Sequence, residues 1–530
     1  MDTIIGGGVG DARHASRSHF RFLFGGAALA TLIVVGLKLA LAREVVFCGG
    51  ADACFYYALA RELAQHHDFF VDFVWNYQVP HVQLPSLAAE YWRPGTSLLL
   101  SLALPFGEIT LRSSAVIATI ATLVTALSAA YLAWSATEDR TIAVLSYLIC
   151  LCLPSFWTMP LTPDSGSFYA AAVAWFLALF TAQSRGVMAD LLGIGCIGLA
   201  YLIRNDAVLL GAPFAAVLAK RMLDQQHQGL LRREWRRPIW LCAAFVAALL
   251  PAHLLTYAIL GRFLNSSITQ VLYFNHLEDF YRYGSLLNFQ SWIANGVEAL
   301  ARQRLLVLAQ TLHHLLSLYG EPATMLALVA AGLAIVAARE RAVLGWGLLG
   351  PVAFLVAIIF AYVFVMPAIG AHAILRSYEG FLPALAVLAA LGVRRAAGSR
   401  AAFVILAILV ILFSAMDGIT EARNFLADAR AQLAAYRAEA SVIERGSGAQ
   451  AIAMVLNPAP FTATTEIPSV PIPSNGIAAV RRAIGDFKVT CIVTAKWGGE
   501  ALASALGAVR VEDVPNTDEV VIFVRAPSSS

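Results

Sequence analysis

The chain has 530 residues, of which 59% are hydrophobic and only 13% are charged, and its formal net charge is +3. Soluble proteins carry roughly 25% charged residues, so this composition excludes an ordinary soluble enzyme. Together with a mean hydropathy of +0.70, it predicts an all-α polytopic membrane protein, with the lipid bilayer as its surroundings and no nucleic-acid partner.

The N-terminal residues 1–21 are polar and contain Arg13, Arg17 and Arg21, which predicts a cytoplasmic tail. Residues 22–42 can span a bilayer and lack a small-residue cleavage site, so we interpret them as a retained anchor. Further apolar runs bring the total to about eleven predicted spans. They lie at residues 113–135, 141–157, 167–183, 191–203, 207–218, 239–260, 322–338, 343–365, 374–393 and 401–416.

Residues 96–106 are also apolar, and their placement decides the topology. If they form an interfacial helix, the basic clusters of the later loops all face the cytoplasm, as the positive-inside rule requires. If they cross the bilayer, every later loop is inverted. We therefore predict a transmembrane domain over residues 22–416, with an external loop at 43–112 on the periplasmic side of a bacterial inner membrane.

Residues 417–530 predict a small α/β domain outside the membrane, also on the periplasmic side. Helical patterns cover residues 421–445 and 476–487, and strand-like patterns cover 451–456, 489–494 and 519–525. Five prolines, at positions 458, 460, 468, 471 and 473, predict that the segment they occupy is a loop.

Seven cysteines are scattered through the chain, and none belongs to a zinc-binding pattern. Cys48 and Cys54 could form a disulfide if their loop lies outside the cytoplasm, or they could be free thiols. We favour two free thiols.

Two acids border predicted helices on the external side. Asp52 lies in the loop after the first span, just before a helical pattern, and Asp164 follows Pro163 and precedes a span. Each carboxylate could cap its helix by accepting backbone N–H groups. Alternatively, each could be a catalytic group at the membrane–water boundary.

Five short runs resemble a known superfamily. They are Asp52 to Arg61, Tyr91-Trp92-Arg93-Pro94, Thr162-Pro163-Asp164, Leu202-Ile203-Arg204-Asn205-Asp206, and Arg376 with Leu382-Pro383. The chain resembles the GT-C superfamily of multi-span glycosyltransferases, which use polyprenyl-phosphate-linked sugars, over roughly residues 20–400. It is most similar to the bacterial branch of protein mannosyltransferase-like and aminoarabinose transferase-like enzymes.

The resemblance implies that Asp52 lies beside the acceptor and takes its hydroxyl proton, and that Asp164 is the second acid of the site. It also implies a single displacement with inversion at the anomeric carbon. A cell-envelope glycolipid or polysaccharide is favoured over a protein as acceptor. The two acids could hold Mg²⁺ or Mn²⁺, because these ions prefer oxygen ligands, but some members of the superfamily need no metal.

The leaving group would be a lipid phosphate, whose growing charge a fixed cation can stabilise. Candidates on the external side are Arg93, Arg204, Arg282 and Arg376, with Arg376 preferred. A guanidinium group can donate two hydrogen bonds to phosphate oxygens. The alternative is that these arginines extend to lipid headgroups.

Aromatic and polar side chains of the external loops complete the predicted substrate site, since ligand pockets combine apolar faces with a few polar groups. These are Tyr56, Tyr57, Trp92, His276 and Glu278. For the loop around His276, an interfacial aromatic belt is the alternative.

The sequence therefore predicts an integral membrane glycosyltransferase that moves a sugar from a polyprenyl-phosphate donor to an acceptor. A transporter or flippase of lipid-linked glycans is the alternative, but it would carry charged groups within its spans. A non-catalytic scaffold would tolerate substitution of Asp52 and Arg376.

Overall fold

The computed structural model describes residues 8–79, 82–181, 186–227, 236–265, 270–294, 296–318, 341–366, 376–447 and 451–524. The predicted span at 322–338 and the start of the one at 374–393 lie outside these residues. Helices dominate the described chain, and its strands are short.

The helices up to the last span are α1 (Gly8–Ala42), α2 (Ala51–Gln65), α3 (Gly95–Leu100), α4 (Leu111–Thr137), α5 (Arg140–Cys152), α6 (Ser155–Thr158), α7 (Gly166–Thr181), α8 (Val187–Ile203), α9 (Gly211–His227), α10 (Arg236–Leu260), α11 (Phe289–Ile293), α12 (Val297–Leu318), α13 (Arg341–Phe360), α14 (Leu382–Ala396) and α15 (Arg400–Ser447). Short turns of 3-10 helix include Ser101–Phe106, Met159–Leu161, Asn205–Leu210, Leu277–Tyr281 and Glu379–Phe381, and a π turn covers Ala361–Val365.

Four of the described helices are long and apolar enough to cross a membrane: α1 from Phe24, α4, α10 and α15. A fifth span results if α5 and Ser155–Leu161, which meet at a bend of 60°, are counted together. The predicted spans at 167–183, 191–203 and 343–365 coincide with shorter apolar helices. The predicted polytopic helical membrane fold is thereby confirmed.

The chain departs from the prediction around Arg204. A span at 207–218 is predicted, but α8 ends where Arg204 adopts an extended backbone, and a 3-10 turn at Asn205–Leu210 follows. Helix α9 then continues to His227, beyond the apolar residues. Within the predicted span at 374–393, a 3-10 turn at Glu379–Phe381 interrupts the helix, and α14 starts only at Leu382.

Helix α15 joins the membrane region to the C-terminal domain. A span at 401–416 and a separate helix at 421–445 are predicted, but the structure has one continuous helix of 48 residues. One of its two glycines, Gly418, packs against Trp157, and a Cβ there would lie 2.1 Å from the indole Cδ1. Close packing therefore accounts for this glycine, which does not end the helix.

The C-terminal domain contains a five-stranded sheet in the order β4-β3-β5-β7-β6. Its strands are β3 (Ala453–Val455), β4 (Ser469–Pro471), β5 (Cys491–Ala495), β6 (Arg510–Asp513) and β7 (Glu519–Phe523). Strands β3, β4 and β5 are parallel, and β7 is antiparallel to both β5 and β6. Helices α16 (Pro458–Thr465), α17 (Ile477–Phe487) and α18 (Lys496–Leu506) connect them. The predicted small α/β fold is confirmed.

The proline-rich segment is not the loop that the sequence predicts. Pro458 begins α16, where its missing N–H costs no helical hydrogen bond. Pro471 ends β4, an edge strand, where the missing donor is tolerated.

The external loop packs on the C-terminal domain. Its strands β1 (Phe70–Val71) and β2 (Ser86–Leu87) pair with each other. Phe73 forms a parallel bridge with Ser469, so the loop covers the β4 edge of the larger sheet. Within the same loop, Cys48 and Cys54 form a disulfide, and the preference for free thiols is wrong.

Candidate active site

Asp52 lies in the first turn of α2, whose N-terminal cap is Gly50. The capping interpretation is therefore wrong, because the carboxylate belongs to the second helical residue and accepts a hydrogen bond from Arg376. A negative charge in the first turn is stabilised by the helix dipole. The Cys48–Cys54 disulfide closes the backbone around this residue and limits the movement of its helix end.

One guanidinium group joins the two predicted acids. Nη1 of Arg376 donates to Oδ2 of Asp52, and Nη2 lies 3.2 Å from Oδ2 of Asp164. The side chains of Asp52, Asp164 and Arg376 are 22%, 14% and 31% exposed, so the cluster is half-buried. The structure thus brings together the three residues that the sequence analysis ranked first.

The other oxygen of Asp164 is held by its own loop. Oδ1 accepts hydrogen bonds from the Ser165 backbone N–H at 2.5 Å and from its hydroxyl at 3.0 Å. The Ser165 carbonyl accepts the N–H of Tyr169, so Ser165 lies at the N-terminal cap of α7. Asp164 therefore directs one oxygen to the helix start and one to Arg376.

Arg204 is paired with Asp206 rather than exposed to a ligand. Its Nε and Nη2 donate to the two carboxylate oxygens at 2.9 and 3.0 Å, and its Nη1 donates to the Ser165 hydroxyl at 3.2 Å. Tyr362 donates to Oδ2 of Asp206 at 2.7 Å, and Ser377 donates to the same oxygen. The predicted phosphate contact of Arg204 does not fit this geometry.

This Arg204–Asp206 pair instead supports the acid cluster from one side. Arg204 orients Ser165, which orients Asp164, and Ser377 directly follows Arg376 in the chain. The sequence contained a local signal for the pair, since Asp206 follows Arg204 by two residues, but it gave no sign of its partners Tyr362 and Ser377.

Arg93 is a buried connection between elements. Only 2% exposed, it donates to Asn205 at 2.6 Å, to Tyr201 at 2.9 Å and to Thr256 at 2.6 Å. It also lies over the Tyr201 ring, 4.6 Å from the centroid. Arg93 therefore fixes the external loop to α8 and α10, and the predicted phosphate contact does not fit it either.

Two tyrosines lie close to the cluster. Burial and then the Asp52 carboxylate raise the pKa of Tyr56 above its usual range, and Asp164 acts in the same direction. Burial and the Asp52 charge also raise the pKa of Tyr281. Tyr56 was predicted from the sequence, whereas Tyr281, from the 3-10 turn Leu277–Tyr281, was missed because nothing local connects it with Asp52.

The remaining predicted aromatic residues have other contacts. Tyr57 donates to the Ile109 carbonyl at 3.4 Å, and Trp92 packs edge-on against Trp75 at 6.2 Å between ring centroids. Both contacts lie within the packing of the external loop.

The loop that contains His276, Glu278 and Arg282 faces the C-terminal domain. The side chains of His276 and Glu278 are exposed, and Arg282 lies 3.6 Å from Asp279. The Glu278 carbonyl accepts the Ser474 hydroxyl. Among the contacts of the described residues, none joins these three side chains to Asp52, Asp164 or Arg376.

Glu379 is a third acid beside the cluster that the sequence analysis did not select. Its Oε2 is buried without a hydrogen-bond partner in the described chain, and it fits against Gly166, where a Cβ would lie 2.4 Å from it. The signal that could have identified it is its position three residues after Arg376, on the same turn of chain.

The arrangement suits anion binding and proton transfer better than metal binding. In the described ranges, no three His, Cys, Asp or Glu side chains are grouped to hold a metal ion. The Arg376 guanidinium occupies the position between Asp52 and Asp164 that a divalent ion would need. The binding of Mg²⁺ or Mn²⁺ at this site stays a prediction. The residues present do not fit it, because both acids are already paired with Arg376.

Comparison with known proteins gives the fold. No family model matches the chain, and no curated protein matches its sequence. The solved structure of ArnT from Cupriavidus metallidurans bound to undecaprenyl phosphate aligns with a TM-score of 0.62 at 12% identity, covering 95% of this chain and 98% of that one. The apo form of ArnT aligns with a TM-score of 0.57 at 13% identity, covering 96% and 99%. ArnT is an aminoarabinose transferase of the GT-C superfamily, so the GT-C-like fold predicted from the sequence is confirmed.

Proposed function

We propose that this chain, which has the fold of ArnT, is an integral membrane glycosyltransferase that moves a sugar from a polyprenyl-phosphate donor to a cell-envelope acceptor. The observation that carries the proposal is the contact of Arg376 with both Asp52 and Asp164 at a half-buried site. Two carboxylates that can accept a proton and one cation that can receive a phosphate are the groups that this transfer needs.

The donor class is supported by the fold and by the cation. ArnT binds undecaprenyl phosphate, and its structure aligns with nearly all of this chain. Arg376 offers a planar guanidinium group that can donate two hydrogen bonds to phosphate oxygens. In the free protein the two acids neutralise it, and a bound phosphate would compete with them for its N–H groups.

The reaction follows from the positions of the acids. Asp52 takes the proton of the acceptor hydroxyl as its oxygen attacks the anomeric carbon, which increases the nucleophilicity of that oxygen. Asp164 holds Arg376, and Arg376 stabilises the charge that grows on the departing lipid phosphate. A single displacement of this kind inverts the anomeric carbon.

The periplasmic side of a bacterial inner membrane is supported by two features. The Cys48–Cys54 disulfide lies next to Asp52, and disulfides persist mainly in oxidising compartments. In the topology predicted from the sequence, the basic clusters lie at the opposite, cytoplasmic ends of the spans, as the positive-inside rule requires. The C-terminal domain packs on the same external loop, so it lies on the same side.

The direct test is sugar transfer by the purified full-length protein. A panel of undecaprenyl-phosphate-linked hexoses and pentoses, labelled in the sugar, is incubated with envelope glycolipid or polysaccharide. We expect transfer by the wild type, and a loss of about 10²-fold or more in kcat for Asp52→Asn, because the amide accepts no proton. Asp513→Asn, in the exposed Lys496–Asp513 pair of the C-terminal domain, is the matched control.

Full turnover by Asp52→Asn would contradict the role of that residue. Movement of the labelled lipid across proteoliposome membranes without any sugar transfer would instead favour the transporter or flippase. Mass spectrometry of envelope glycans from cells with and without the protein would identify the acceptor.

A further inference from the structure

Glu379 is placed at the acid cluster without a partner of its own. It lies on the turn Glu379–Phe381, three residues after Arg376 and before the span α14 begins. Its Oε2 has no hydrogen-bond partner in the described chain although it is out of contact with solvent. Buried polar atoms are normally paired, so an unpaired carboxyl oxygen at this position needs an explanation.

The space for this carboxyl group is provided by Gly166, the first residue of α7. A Cβ at residue 166 would lie 2.4 Å from Oε2 and 3.3 Å from the carboxyl carbon. Because Gly166 is only two residues from Asp164, the Glu379 carboxyl group lies beside the second acid of the site. The site thus contains three acids, of which Asp52 and Asp164 contact Arg376.

The charges around Glu379 favour its neutral form. Burial, and after it the Asp164 carboxylate, raise the pKa of Glu379 to about 8, against the opposing charges of Arg376 and Arg204. A protonated carboxyl group is both a hydrogen-bond donor and an acid. At neutral pH the site therefore contains two carboxylates that can accept a proton and one carboxyl group that can give one.

We propose that Glu379 is the general acid of the transfer and donates its proton to the phosphate oxygen that leaves the sugar. This inference rests on the proposed glycosyltransferase function. It assigns opposite tasks to acids of one cluster, as occurs where neighbouring carboxyl groups differ in environment.

The step balances in atoms and electrons. The acceptor oxygen forms a bond to the anomeric carbon while its proton passes to Asp52. The bond between the anomeric carbon and the phosphate oxygen breaks, its electron pair stays on that oxygen, and the oxygen takes the proton from Glu379. The Glu379 carboxylate then forms beside Arg376. Loss of one proton from Asp52 to solvent, and gain of one by Glu379, restores the starting state.

The experiment compares pH–rate profiles of the wild type, Glu379→Gln and Glu379→Asp in the labelled-sugar assay. In the wild type we expect kcat to decline above the pKa of about 8. Glu379→Gln, which keeps the shape but has no acidic proton, should lower kcat by about 10²-fold and abolish that alkaline decline. The KM for the donor should change by less than about threefold, since the amide still donates a hydrogen bond.

Glu379→Asp and Glu500→Gln are the controls. Aspartate keeps the acid but shortens its reach, so a reduced kcat with an alkaline decline is expected. Glu500→Gln, on the exposed surface of the C-terminal domain, should match the wild type. Thermal midpoints and binding of undecaprenyl phosphate show whether each variant is folded. If Glu379→Gln does not fold, the kcat and pH profile of Glu379→Asp test the assignment instead.

The outcomes separate this inference from the function on which it rests. If the wild type transfers sugar and Glu379→Gln keeps its kcat or its alkaline decline, the general-acid assignment is wrong and the glycosyltransferase stands. A Glu379→Asp variant with the kcat and profile of the wild type would overturn it equally. If the wild type transfers sugar from none of the donors, the proposed function fails, and this assignment fails with it.

Discussion

The contacts of Arg376 depend on the shape of its guanidinium group as well as on its charge. A lysine would keep the charge, but its single nitrogen cannot contact Asp52 and Asp164 in the way that the two terminal nitrogens of arginine do. We expect Arg376→Lys to lower kcat by about 10²-fold in the labelled-sugar assay, because the phosphate loses a preorganised pair of donors.

Arg302→Lys is the matched control for that prediction, since Arg302 forms an exposed pair with Glu298. The control should retain the kcat of the wild type, because exposed ion pairs contribute little. Equal kcat for Arg376→Lys and the wild type would show that charge alone is sufficient there, contrary to the bridging role.

Local sequence motifs selected some residues of the acid cluster but did not distinguish between the roles of the arginines. Asp52, Asp164 and Arg376, which contact one another in the structure, were selected because each lies in a short motif on the predicted external side. Arg93 and Arg204 satisfied the same criterion, yet each is engaged by a partner from a distant part of the chain, Thr256 for Arg93 and Ser165 for Arg204. A sequence read without contacts cannot separate an arginine that binds substrate from one that holds elements together.

The disulfide between Cys48 and Cys54 controls the start of helix α2. A closed loop this short restricts the unfolded chain by an entropy equivalent to about 2 kcal/mol. It also encloses Asp52, so its loss should displace the carboxylate. We expect the Cys48→Ser/Cys54→Ser double variant to have a lower thermal midpoint and a kcat lower by about tenfold.

Reduction of the wild type with dithiothreitol should have the same effect as the double variant. Cys242→Ser, which replaces an exposed thiol, should change neither quantity. An unaltered kcat after complete reduction would show that the helix end holds its position without the covalent link.

Close contact between α15 and the bent segment Ser155–Leu161 depends on Gly418. The Cβ of an alanine would meet the Trp157 ring at 2.1 Å, so the two elements must separate. We expect Gly418→Ala to destabilise the protein by about 1–3 kcal/mol, seen as a lower thermal midpoint in detergent.

Gly36→Ala on α1 provides the comparison, because nothing lies within 4 Å of its Cβ position. There the better helix propensity of alanine should leave the midpoint unchanged or raise it. A Gly418→Ala variant as stable as Gly36→Ala would mean that the contact relaxes without cost.

Secondary structure was predicted best where an apolar run was long and uninterrupted, as in α4 and α10. It failed where tertiary contacts decide, as in the turn at Asn205–Leu210, which follows the pairing of Arg204 with Asp206. Helix α16 and strand β4 were missed because proline was taken to indicate a loop, although an initial helical position and an edge strand both accept it.

At the scale of the whole molecule, an acid pair lies between α15 and the C-terminal sheet. Glu439, in the part of α15 that packs on the sheet, is 4% exposed and is hydrogen-bonded to Glu519 of β7. Burial and then the bond with Glu519 raise the pKa of Glu439. Because the folded state holds this proton more tightly than the unfolded state, stability is highest below the ordinary pKa of 4.5 and is lost as the pH rises above it.

Glu439→Gln should remove this loss of stability at high pH, because an amide does not titrate. We expect its thermal midpoint to exceed the wild-type value by about 2–4 °C at pH 8, and the two midpoints to converge toward pH 4.5. Glu500→Gln, an exposed change in the same domain, should follow the wild type at each pH. A Glu439→Gln variant less stable than the wild type at pH 8 would contradict the shared proton.

The continuity of α15 sets how far the C-terminal sheet stands from the bilayer. Each helical residue advances about 1.5 Å and turns about 100°, so 48 residues form a rod about 72 Å long. Residue number along this rod therefore fixes both the height of the sheet and the direction it faces. An added residue above the membrane would rotate the sheet by more than a quarter turn, away from the external loop that its β4 edge now covers. The length of α15 thus determines how the C-terminal sheet is aligned with the membrane region.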